Sequence, residues 1–156
     1  MRVRVLGCGN WFAGDDAVGL QVAREVRRQP LPAGVDVIEV GGGGLSVLPL
    51  LAGIDKAILV DAMMSGAQVG IVRRYAAPDL VPQDAWRFST HQLDLAEALQ
   101  LGHQFQPEAL PRELVVVGIE IPPPMRFHLG LSRAVAEAVP MAVEMILRDL
   151  REPVRP

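Results

Sequence analysis

Short apolar runs alternate with amphipathic stretches along the chain, and turn residues separate them. Val3, Val5 and Leu6 form a β-prone run closed by Gly7, the pattern of a buried strand. From Asp16 to Arg28 the period lengthens. Val18, Val22 and Val26 fall four apart, with Gly19 and Ala23 on the same side, which predicts a helix stopped by Pro30 and Pro32. A second strand is expected over "VDVIEV" (Val35 to Val40), then the run Gly41 to Gly44 and a short helix in "LSVLPLLAGI". "KAILVDA" reads as a third strand ending at Asp61, "VGIVRRY" as a fourth, and residues 76–88 as a loop. Ser89 and Gln92 have capping-box spacing, so a helix should start at Ser89. "ELVVVGIEI" is a fifth strand, Pro122 to Pro124 break the chain, and Ser132 is placed to cap a last helix running to about Leu150.

The alternation of strands and helices predicts an α/β fold, with a mainly parallel five-stranded sheet covered on both faces. A length of 156 residues fits one domain over 1–156, with 151–156 as a frayed tail. In such sheets ligands bind beyond the carboxyl ends of the strands. Asn10 to Asp16 follow the first strand, Gly41 to Gly44 the second and Asp61 the third. These three segments are therefore expected to open on one edge of the sheet.

Charge and composition narrow the function classes. The net charge is −3 and the basic residues are scattered, so nothing favours nucleic acid or an anionic membrane. Lys56 is the only lysine, and the basic residues as a group read as ordinary solvated surface. The longest apolar stretch, "GLSVLPLLAGI", is interrupted by proline and is shorter than the ~18 residues of a membrane span. The N-terminus enters a strand pattern without a signal-peptide profile. Cys8 is the single cysteine, which excludes an internal disulfide and a cysteine metal cluster. Lying between two glycines, it reads as a small buried thiol rather than a nucleophile. A cytoplasmic protein is expected.

The candidate chemistry starts at "LGCGNWFAGDDAVG". Gly7 and Gly9 match the start of a dinucleotide-binding turn, but the third glycine position is Phe12. Asp15 and Asp16 stand where a pyrophosphate would rest and would repel it. Either aspartate suits a helix N-cap, and a functional carboxylate is the equal alternative. Asp61 follows "AILV", and a carboxylate at the end of a buried strand needs a partner or a metal. His91 enters the helix expected from Ser89, where the helix dipole favours a neutral, metal-binding imidazole. His103 reads as exposed after that helix, and His128 precedes the last one. Two carboxylates and one imidazole suit a divalent transition metal. There is no G-x-S-x-G elbow and no H-E-x-x-H.

Together these segments resemble one family, the endopeptidases that mature the large subunit of nickel–iron hydrogenases. The likeness runs through "VRVLGCGNWFAGDDAVGLQV", "GGGGLSVLPLL", "AILVDAMMSG", "STHQLDLAEAL", "ELVVVGIEI" and "HLGLSRAV". It implies a three-layer α/β/α sandwich with a twisted, mainly parallel sheet. It also implies a metal site at Asp16, Asp61 and His91, with nickel brought by the precursor. The activity implied is removal of a C-terminal extension from the nickel-loaded large-subunit precursor, by an enzyme expected to be monomeric. Two segments depart from the family pattern. The second loop has no acidic or polar residue, so bare backbone at Gly41, Gly42 and Gly43 is the expected substrate contact. "GIEIPPPMRFHLGLS" is proline-heavy, and no role carries over to Glu120 or His128. Two other classes compete: a chaperone that recognises the loaded precursor without cutting it, and a nucleotide-dependent enzyme using the Gly7–Gly9 turn.

Overall fold

The computed structural model describes residues 1–42, 44–76, 87–88 and 95–153. Its strands are β1 (Val3–Cys8), β2 (Val35–Val40), β3 (Lys56–Met64), β4 (Val72–Ala76), β5 (Arg87–Phe88) and β6 (Glu113–Glu120). Its helices are α1 (Val18–Arg27), α2 (Leu48–Leu51), α3 (Leu95–Phe105) and α4 (Arg133–Arg151). The main sheet has the order β2-β1-β3-β6-β4, with β5 paired to β3 off that path. β2, β1, β3 and β6 run parallel, while β4 lies antiparallel on the β6 edge.

Each central strand is buried on both faces, because alternate side chains enter different cores. Ile58 and Val60 join Val18, Val22, Val139 and Val143 on the α1–α4 side. Ala57 and Leu59 join Leu51 and Leu99 on the α2–α3 side. The result is the expected helix–sheet–helix sandwich, with five strands in the main path and a two-residue sixth.

Several elements differ from the sequence reading. β3 continues to Met64, so Asp61 lies inside the strand rather than at its end. The extension is held on both sides, by the pairing of Ala62 and Met63 with β6 and by that of Met63 and Met64 with β5, within the segment expected to be loop. The helix expected from Asp16 is preceded by a 3-10 turn at Gly14–Ala17, and α1 proper starts at Val18. His103 falls within α3, on an exposed position. Lys56 is 1% exposed rather than solvated, with Nζ 3.1 Å from Glu113 Oε1 and donating to the carbonyl of Asp149 at 2.8 Å. The start of the helix expected from Ser89 lies outside the described residues.

α1 sits on the sheet at backbone contact. A Cβ on Gly19 would come within 2.3 Å of the Cys8 carbonyl oxygen and 2.4 Å of the Val60 carbonyl oxygen. The helix entry is thereby pressed against the end of β1 and the middle of β3, immediately before Asp61.

Candidate functional site

The parallel register brings the ends of β1, β2 and β3 to one edge. There the chain leaves Cys8, passes Gly9 and folds back as the Gly14–Ala17 turn. A Cβ on Gly9, at φ +152, would lie 2.2 Å from the Asp16 carbonyl oxygen, so only glycine lets the turn close against the strand end. The turn is tied locally by Phe12 N–H donating to Asn10 Oδ1 at 2.9 Å and by Asp16 N–H donating to the Ala13 carbonyl at 3.1 Å.

This folding separates the two adjacent aspartates. Asp16 is 0% exposed and Asp61 is 3% exposed. Both are near enough to the Cys8 thiol, at the end of β1, for their charge to act on it. Burial first, then the Asp61 and Asp16 carboxylates, push that thiol well above its ordinary range. The thiol is therefore neutral and buried, as expected of a packing residue and not of a nucleophile. Asp61 Oδ1 accepts the N–H of Ala62 at 2.8 Å, which orients the carboxylate within β3. Asp15 turns the other way, and its Oδ1 accepts the backbone N–H of Ser132 at 2.6 Å. Neither aspartate caps the helix it precedes, for Ala13 is the N-cap of the turn and Ala17 that of α1.

His91 lies outside the described residues. The chain enters that segment from Phe88, which pairs with Met63 two residues beyond Asp61. Among the described residues no three His, Cys, Asp or Glu side chains form a metal-ligand set. Asp16 and Asp61 are brought to one buried place, and their hard oxygen donors fit a divalent cation. In the glycine loop, Gly41 is exposed and a Cβ there would meet nothing within 4 Å. Gly42 is tighter, with Ser46 Oγ 2.4 Å from its added Cβ, and Gly43 lies outside the described residues. Glu39, just before the loop, is engaged by Arg24 and Arg27, each at 3.2 Å.

Two further groups shape this edge. Glu120 is 2% exposed and accepts from Ser65 N–H at 2.8 Å, Ser65 Oγ at 2.7 Å and Gly66 N–H at 3.0 Å, fixing the turn after β3. A carboxylate inside the apolar run "VVVGIEI" was its signal in the sequence. His128 contributes its backbone: its carbonyl accepts from Gly14 N–H at 2.8 Å and its N–H donates to the Phe12 carbonyl at 3.1 Å. Phe127, at φ 57 and 95% exposed, makes the turn that presents it. A groove of about 660 Å³ between α1 and α4, lined among others by Trp11, Gln21, Val139 and Leu147, includes neither Asp16 nor Asp61.

Known proteins resemble this chain in sequence and in fold. The family model for hydrogenase maturation proteases matches residues 20–149. The hydrogenase 2 maturation protease of Escherichia coli (strain K12) is 33% identical over 157 residues, covering 97% of this chain and 92% of the relative. The solved hydrogenase maturating endopeptidase HybD from E. coli superposes with a TM-score of 0.79 at 29% identity, covering 97% of this chain and 93% of that one. HybD from Thermococcus kodakarensis, a NiFe hydrogenase maturation protease, shares the fold at a TM-score of 0.78 and 23% identity, with 97% of this chain and all of that one covered. With sequence and fold matched along nearly the whole chain, the protein belongs to the hydrogenase maturation protease family.

Proposed function

We propose that the chain is an endopeptidase that removes a C-terminal extension from the nickel-loaded precursor of a nickel–iron hydrogenase large subunit. The observation that carries this reading is the meeting of two buried carboxylates, Asp16 and Asp61, at the carboxyl edge of the sheet in a member of this family. His91 completes the set from the segment that follows β5. The nickel belongs to the substrate. Two carboxylates and an imidazole hold nickel weakly compared with thiolates, and Cys8 is buried in a packing role. The three side chains grip the exposed side of the precursor's nickel and thereby aim the scissile peptide at the edge of the sheet. In the alternative version, a cation held by the same residues would supply polarisation of the carbonyl or activation of the attacking water. The exposed backbone at Gly41 offers room for a peptide to approach. The enzyme works in the cytoplasm as a monomer and needs no nucleotide.

Cleavage of nickel-loaded and nickel-free precursor under identical conditions tests the mechanism. Cutting of the loaded form alone is expected. Equal cutting of the nickel-free form contradicts recognition through the metal, and tight binding without any mass loss assigns a chaperone instead.

A further inference from the structure

We propose that Asp15 is a positioning residue whose bond to α4 fixes the turn that presents Asp16. This inference rests on the reading of Asp16 given above. A four-residue 3-10 turn does not support itself, since a single turn gains too few hydrogen bonds for the dihedrals it fixes. It must be held by its surroundings. Neighbouring side chains leave such a turn about 120° apart. Adjacent aspartates are therefore the shortest sequence that sends one carboxylate to the site and another to an anchor.

The anchor is well matched. Asp15 is buried, and its Oδ1 lies 2.6 Å from the backbone nitrogen of Ser132, the N-cap of the 19-residue α4. The helix dipole favours a negative group at that end. Ser132 itself makes no side-chain capping bond, and Asp15 satisfies from a distance the N-cap's own N–H, the group that an N3 side chain takes in a capping box. The backbone bonds of His128 to Phe12 and Gly14 tie the same two segments one step earlier. The loop after β1 and the approach to α4 thus form one unit, and Asp15 is its only charged clasp among the described hydrogen bonds between them.

The donor can also be deleted. Ser132 has φ −62 and ψ 159, values that proline adopts, so Ser132→Pro breaks the bond from the other side by removing the N–H, along with the hydroxyl, and setting the ring carbon toward the Asp15 carboxylate. Asp15→Asn keeps an oxygen that accepts from Ser132, whereas Asp15→Ala does not. The experiment measures kcat and KM on nickel-loaded precursor, and amide hydrogen exchange of the free proteins, for these three variants and the Asp15→Ala/Ser132→Pro double variant.

Asp15→Ala and Ser132→Pro should each lower kcat about 10- to 100-fold, the range for removing a group that orients a ligand, with KM little changed. Asp15→Asn should recover most of kcat. The double variant should be no worse than the poorer single, as for two halves of one bond. Exchange at Asp16 and Ala17 should rise about tenfold in Asp15→Ala and return in Asp15→Asn. Unchanged exchange at Asp16 and Ala17 overturns the proposal, as do losses in kcat that multiply in the double variant. An Asp15→Asn protein as impaired as Asp15→Ala also overturns it, by assigning the charge itself to the reaction. If Asp15→Ala does not fold, Ser132→Pro decides alone, and wild-type exchange there refutes the clasp. Failure of the peptidase reading would appear separately, as absent cleavage by the wild-type enzyme with the exchange differences intact.

Discussion

At the scale of the residue, the puzzle of "GDDA" resolves into two carboxylates with different partners. Asp16 joins Asp61 beside the Cys8 thiol, and Asp15 reaches Ser132, 117 positions along the chain. The acidic pair itself was legible in the sequence, while the choice of Asp16 over Asp15 came from the family resemblance. The partner of Asp15 was not legible, because no local pattern records a hydrogen bond to a backbone group so distant. Asp16→Asn and Asp61→Asn should each abolish processing while circular dichroism and melting stay near wild type. Asparagine preserves the shape of each side chain, and at Asp61 it keeps an acceptor for Ala62 N–H. Cys8→Ser should retain most activity. In the native protein Cys8 should resist alkylation at neutral pH and react only on unfolding, because the thiol is buried and held neutral. Rapid labelling of the folded enzyme would show that the strand end is open.

At the scale of the element, the site depends on how closely α1 meets the sheet. Gly19 lets the helix lie on the carbonyls of Cys8 and Val60, one residue from Asp61. An alanine there would place a methyl group against two backbone oxygens that cannot move aside. Gly19→Ala should therefore lower stability by about 3 kcal/mol, read as a shift in the urea midpoint. A neutral outcome would mean that α1 rides higher on the sheet than described. The same strands mark where sequence reasoning stopped short. "KAILVDA" was read as ending at Asp61, but β3 continues because Ala62 and Met63 pair with β6 and Met63 and Met64 pair with Phe88 and Arg87. A two-residue strand carries no period, so neither its existence nor the longer β3 could be read from the pattern.

At the scale of the whole molecule, the parallel order β2-β1-β3-β6 collects three loops on one edge and leaves the opposite edge to structural ion pairs. Lys56 begins β3 there, buried against Glu113, while Arg74 Nε holds Asp149 at 2.8 Å. The lone lysine looked like surface in the sequence because charge alone does not reveal burial. Lys56→Met should destabilise the fold by roughly 3 kcal/mol, since it removes a buried ammonium from the Glu113 carboxylate and the Asp149 carbonyl. It should leave kcat near wild type below the melting temperature, because it lies at the far end of the strand. The fold class was legible because alternating strand and helix patterns admit few arrangements. The edge that gathers the three loops was legible because parallel strands send their carboxyl ends to one side. The measurement that tests the account most directly is the mass of nickel-loaded large-subunit precursor after incubation with the wild-type protein and with Asp16→Asn. The account predicts loss of a C-terminal peptide with the wild type and an unchanged mass with the variant. Equal cleavage by both, or by neither, would contradict it.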